Sequence, residues 1–179
     1  SGPSEEFSDG PAELKTELAA GGEVIGDSLG GHWVLGPTDR IASWMGEPRS
    51  EQSMEQCYAC HALRAPLRDV IELGEPFLDH FKPELLRAPI YSATGQIEEE
   101  VFVYGSFEQS RMRAAGVQCI DCHDPHTTNL RAEGDALCAS CHQSDVYVAP
   151  SHHAHPPSAN LECVDCHMPG KMYMGVDFR

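Results

Sequence analysis

Eight cysteines and four histidines stand in one repeated pattern, Cys57-Tyr-Ala-Cys60-His61, Cys119-Ile-Asp-Cys122-His123, Cys138-Ala-Ser-Cys141-His142 and Cys163-Val-Asp-Cys166-His167. The spacing Cys-x-x-Cys-His is that of covalent haem c attachment. Two thiols must add to the two vinyl groups on one edge of a porphyrin, while the adjacent imidazole swings under the ring to bind iron. All eight cysteines are used in these pairs, and with 10 histidines among 179 residues a His would follow all four pairs by chance about once in 100,000. Zinc ribbons also use Cys-x-x-Cys pairs but do not ask for a His after each second Cys. A disulfide framework fits an even cysteine count, yet has no use for the His either. The expected cofactors are therefore four covalently attached haem c groups, with His61, His123, His142 and His167 as proximal iron ligands.

A haem iron held by one His has a sixth position that is filled for electron transfer or left open for chemistry. Six further histidines are at hand: His32, His80, His126, His152, His153 and His155. Six candidates for four positions allow every haem to be bis-His, which favours electron transfer. His126 follows His123 too closely to reach the same iron easily and is expected on a neighbouring haem. The adjacent pair His152 and His153 point in different directions and could serve two haems. Met168, Met172 and Met174 could also ligate, but histidine is in surplus.

The elements that must position these groups have little apolar material. Leu, Ile, Val and Phe make up 35 of 179 residues and the formal charge is −16, which lies at the compositional border of disorder. Four porphyrins would supply the missing core, so that binding energy is folding energy and the apo chain should not fold. The acidity argues against nucleic acid, whose phosphates it would repel, and suits a basic redox partner. No apolar run approaches the ~20 residues of a membrane span. The chain begins at Ser1 without Met, which suggests a processed or trimmed product.

Residues 1–56 carry 11 acidic and 3 basic side chains and read as an acidic, Gly-rich N-terminal arm ahead of a tetrahaem domain at 57–179. A short helix is expected from Pro11 to Ala20, with Asp9 as cap and Gly21 as stop. His32-Trp33-Val34-Leu35 is the one sticky patch of the arm: it is either an anchor onto its own domain or, docked on a neighbouring copy, the link of a repeating unit with His32 as a ligand in trans. Between Cys60 and Cys119 lie 58 residues. They read as a helical stretch from Pro76 to Leu86 broken at Pro83, then a hairpin about Thr94-Gly95 with Val101 and Val103 on one face and Phe102 and Tyr104 on the other. A helix from Ser106 to Ala115, stopped by Gly116, follows. Connections of 15 residues (Cys122 to Cys138) and 21 residues (Cys141 to Cys163) force consecutive haems into neighbourhood. Asp135 is expected to cap the turn that carries Cys138 and Cys141, and the tail from Met168 to Met174 to pack on the fourth haem. The fold class expected is a multihaem cytochrome c, mostly irregular, with short α-helices and one small β-hairpin around a stack of four haems.

Three runs carry a resemblance: Gly95-Gln96-Ile97-Glu98-Glu99-Glu100-Val101-Phe102-Val103-Tyr104-Gly105-Ser106-Phe107, Gly116-Val117-Gln118-Cys119 through Pro125-His126, and Cys166-His167-Met168-Pro169 with Tyr173-Met174-Gly175-Val176-Asp177. The chain from about residue 57 onward resembles the multihaem cytochrome portion of bacterial cytochromes c that often carry tetratricopeptide repeats. Such proteins usually have further haem motifs upstream and continue past this point. By haem number it is also similar to tetrahaem cytochromes that polymerise into extracellular filaments. The resemblance implies a periplasmic or extracellular location, because haem is attached outside the cytoplasm in such families. The leading expectation is an electron carrier working with redox partner proteins. The alternatives are the electron-supply part of a multihaem oxidoreductase, with one open haem for a small nitrogen or sulfur substrate, and the subunit of a conductive homo-oligomer or filament.

Overall fold

A computed structural model describes residues 23–28, 30–70, 72, 74–100, 102–156 and 159–178. The helix expected from Pro11 to Ala20, and Val101 of the expected hairpin, lie outside these residues. The chain divides by contacts into two units, residues 1–47 with 139–157 and residues 48–138 with 158–179, and the division passes within the third motif, after Cys138.

In the first unit, β1 (Glu23–Ser28), β2 (Gly31–Leu35) and β3 (Ser43–Gly46) form an antiparallel sheet in the order β1-β2-β3. Part of the segment expected as an extended arm is thus a sheet. Trp33 and Leu35 alternate with half-buried His32 and Val34 and point inward, the period-2 pattern of a strand with one covered face. Trp33 faces Trp44 across the ladder, with ring centroids 5.6 Å apart in an edge contact. The chain then folds back on its own C-terminal part. The Ala42 amide donates to the Cys141 carbonyl (2.7 Å), the Gln143 amide donates to the Arg40 carbonyl (2.9 Å), and Ile41 bridges His142. Of the apolar residues that suggested docking on a second copy, Trp33 and Leu35 are buried in their own chain and Val34 is half-buried.

The second unit is built on α1 (Gln52–His61). Met54, Tyr58 and Ala62 recur at every fourth position and are buried as one stripe. They pack on Phe77 and Phe81, with Tyr104 and Phe107 at the edge. Tyr58 and Tyr104 meet edge-on at 4.6 Å, and Phe77 lies 5.4 Å from Phe81. The region around Phe77 is not one helix to Leu86. It is a single turn, α2 (Phe77–His80), followed by β5 (Phe81–Pro83), which pairs antiparallel with β4 (Arg64–Pro66). Burial decides this: Phe77 and Phe81 reach the core from a turn and a strand, while Leu78, Leu85 and Leu86 stay exposed. Pro83 sits at the end of a two-stranded edge, where its missing N–H costs no ladder bond.

Around Thr94-Gly95 the hairpin is reduced to a Tyr91–Ile97 bridge, with Ser92 N–H to Gln96 O at 2.8 Å and Glu98 N–H to Ile90 O at 2.7 Å. The expected alternation of Val103 and Tyr104 does not form. Tyr104 opens α3 (Tyr104–Glu108) because its ring belongs to the aromatic core. Gly105 lets that turn approach closely, since a Cβ there would collide with the Tyr91 hydroxyl. The helix expected from Ser106 to Ala115 is two, α3 and α4 (Arg111–Ala114), because Ser110 caps the second with its hydroxyl on the Arg113 amide (3.0 Å). Gly116, at φ +89°, ends it as expected.

The remaining helices are short: α5 (Cys119–Cys122), α6 (Asp135–Ala139), α7 (Ser144–Tyr147), α8 (Pro150–His153) and α9 (Cys163–His167). A hairpin of β6 (Lys171–Tyr173) and β7 (Val176–Phe178) follows, so the described residues hold several small sheets where one hairpin was expected. Among them no helix is long and apolar enough to cross a membrane.

Arg49 ties the start of α1 to α5. Its guanidinium meets both Asp121 oxygens (2.5 and 2.9 Å) and the Gly116 carbonyl (3.2 Å), with the Arg49 side chain 9% and that of Asp121 14% exposed. Breaking a buried, bidentate pair strands the remaining charge. R49A is expected to cost about 3 kcal/mol in denaturant unfolding of the haem-loaded protein, and a loss under ~1 kcal/mol, the range of an exposed pair, would contradict this role.

Candidate haem-attachment sites

Each motif begins on a short helix, and this follows from its spacing: two residues three apart lie on neighbouring turns of one helix face. Cys57 and Cys60 ride on α1, off the buried stripe, with Cys57 half-buried and Cys60 exposed. Cys119 and Cys122 bound α5, Cys138 lies on α6 with Cys141 just beyond it, and Cys163 and Cys166 lie on α9. His61 and His167 close their helices at exposed positions, His123 bridges Leu130 and His142 bridges Ile41. Each His therefore directly follows its second thiol in the fold as well as in the sequence.

The second and fourth motifs share a local design. Gln118 and Glu162 are N-caps in capping boxes, with the Gln118 amide donating to Asp121 Oδ2 (2.7 Å) and the Glu162 amide to Asp165 Oδ2 (2.9 Å). The first cysteine of each is also tied to the preceding motif. The Cys119 amide donates to Sδ of Met54, three residues before Cys57 (3.3 Å), and the Cys163 amide donates to Oδ1 of Asp135, three residues before Cys138 (2.7 Å). In both cases the donor is the first cysteine and the acceptor sits one helical turn ahead of the upstream first cysteine. The thiols themselves meet, Cys57 with Cys119 and Cys138 with Cys163. The Cys119 thiol donates to Cys57, which eases ionisation of Cys57 to about 7, while the shared proton and burial push Cys119 up. Burial, and then the Asp135 carboxylate, push Cys163 up to about 12. Sequence reasoning named Asp135 only as a cap and missed Met54 and Arg49. The available signal was the position three residues ahead of a first cysteine.

The six spare histidines have distinct surroundings. His80 is 3% exposed, with Nδ1 3.3 Å from the Val70 carbonyl and Nε2 2.9 Å from Glu75 Oε2; that approach is off the line of a hydrogen bond, so Nε2 stays unsatisfied. His126 is exposed in a turn where its amide donates to Asp124 Oδ1 (2.8 Å). His32 is half-buried on β2 opposite Met45. His152, His153 and His155 cluster in the first unit. Tyr147 stands between His142 and His152, at 5.3 and 5.1 Å, and the His153 and His155 rings stack at 6.0 Å.

Whether these motifs fit a porphyrin is clearest at the fourth. A cavity of about 820 Å³ opens beside Cys166 and His167, walled by Ile97, Phe107, Met112, Met168 and Met172. Its volume falls in the range of small-molecule and cofactor sites, and a thiol with its adjacent imidazole stands in a wall that also carries polar side chains, among them Thr94, Gln96, Glu98, Glu99, Gln109 and Lys171. The tail expected to pack on the fourth haem supplies part of that wall. These residues fit haem c: Cys163 and Cys166 would anchor it and His167 would ligate its iron.

The family described as the doubled CXXCH motif matches residues 112–147, which hold the second and third motifs and make up 36 of the 179 residues. No curated protein and no solved structure matches the chain. A doubled CXXCH motif is the mark of covalently bound haem c in a multihaem c-type cytochrome, and it supports haem-based electron transfer.

Proposed function

We propose that the chain is a tetrahaem c-type cytochrome that carries electrons, with mostly bis-His irons, in the periplasm or outside the cell. The observation that carries this reading is the use of every cysteine in four Cys-x-x-Cys-His motifs, each begun on a helical turn with its His adjacent to the second thiol. The resemblance to the tetratricopeptide-associated cytochromes supports the same reading. Bound haem supplies one-electron chemistry at iron; the chain's residues anchor it, ligate it and shield it. Formal charge −16 favours a redox partner with a basic face, through an attraction that salt would weaken.

The oxidoreductase reading needs one iron open to a small nitrogen or sulfur compound. It draws on a single feature: among the described residues, no second histidine lines the cavity beside His167. As a filament subunit the chain would need a surface for another copy. Trp33 and Leu35, which suggested one, are buried in cis, so the discrete carrier stands first.

Intact mass under denaturing conditions should exceed the 19.6 kDa polypeptide by four haem groups. An unmodified or zinc-bearing mass would end the proposal. H126A is expected to open one iron, seen as a high-spin signal and carbon monoxide binding, because neutral imidazole is the expected sixth ligand. A spectrum unchanged by H126A would remove His126 from the ligand set.

A further inference from the structure

The cavity beside the fourth motif departs from the all-histidine expectation. Its walls come from two segments, residues 94–112 and residues 166–173. His167 belongs to the second, together with Met168, Met172 and Tyr173. Met168 directly follows His167 and cannot easily reach the same iron, whereas the other segment enters the cavity without a short chain connection to His167. The side chains that protein chains place on haem iron are His, Cys, Met and Tyr. Of these, the 94–112 wall holds one, Met112.

The backbone of Met112 is held in place. Its carbonyl accepts from the Ala115 amide (3.1 Å) and the Val117 amide (3.0 Å). The next residue, Arg113, pairs with Glu108 (2.7 Å) and Glu51 (2.5 Å), and Ser110 caps the turn from the other side. A flexible thioether on a fixed turn can adjust to a ligand without moving its helix.

We infer that Met112 is the sixth ligand of the iron bound by His167, making the fourth haem a His/Met centre among bis-His neighbours. The inference rests on the reading of Cys163 to His167 as a haem site. Met ligation raises the potential, so this haem is the electron sink of the chain.

The test uses the haem-loaded protein. Near-infrared magnetic circular dichroism of the oxidised wild type should show a sulfur-to-iron charge-transfer band from one haem in four. M112L should abolish the band, leave one iron high-spin and lower the most positive midpoint in a redox titration. M112H should restore low spin without the band, and M172L should keep the band. A wild type without the band, a band that survives M112L, or one lost in M172L would overturn the assignment. Mass mapping of the peptide holding Cys163 and Cys166 separates the two levels. Haem present without the band overturns only the Met112 inference, whereas no haem on that peptide overturns the site as well.

Discussion

Two thioether bonds to one porphyrin edge require two thiols on the same side of a backbone that does not bend between them, and the rest of this chain serves that constraint. A single helical turn satisfies it, but isolated turns are unstable in water. Each must be fixed from outside. For the first motif this comes from the aromatic cluster behind α1, where Met54, Tyr58 and Ala62 hold one side of the helix against Phe77 and Phe81 and leave Cys57 and Cys60 on other faces. In the second motif Cys119 packs against the edge of the same cluster. The second and fourth motifs are also held by polar contacts: capping boxes at Gln118 and Glu162, Arg49 on Asp121, and the Met54 and Asp135 acceptors.

Electrostatics follow from the same arrangement. With 12 basic against 28 acidic side chains, several cations lie in contacts between segments far apart in sequence. Arg49 joins Asp121, Arg113 joins Glu51 and Glu108, and Lys171 joins Glu98 at 2.5 Å. Carboxylates outnumber these cations, and the excess sets the acidic surface that a basic partner would meet. The Arg49 pair contributes most because both side chains are nearly enclosed, whereas exposed pairs such as Arg68 with Glu75 contribute little.

The attachment chemistry was legible in the sequence because its spacing is covalent and local. So was the stop at Gly116, a property of one residue. Partners distant in sequence were not legible. The helix expected through Phe81 became a strand because the edge beside Arg64 needed a mate. The hairpin expected through Tyr104 became a helix because the core needed its ring. The sheet at residues 23–46 was hidden by glycine and acidic composition, although Trp33 and Leu35 carried the alternation that buries them. Met54 and Asp135 look like ordinary helix residues until the fold sets each beside a cysteine amide 65 and 28 residues away.

The central claim is that four Cys-x-x-Cys-His turns make this chain an electron carrier with one redox centre per motif. Its most direct measurement is the number of electrons taken up per chain in an anaerobic reductive titration followed by haem absorbance. The account predicts four electrons per 19.6 kDa polypeptide, all reversible on reoxidation. Uptake of fewer than four by fully loaded protein, or uptake unaccompanied by haem absorbance changes, would contradict it.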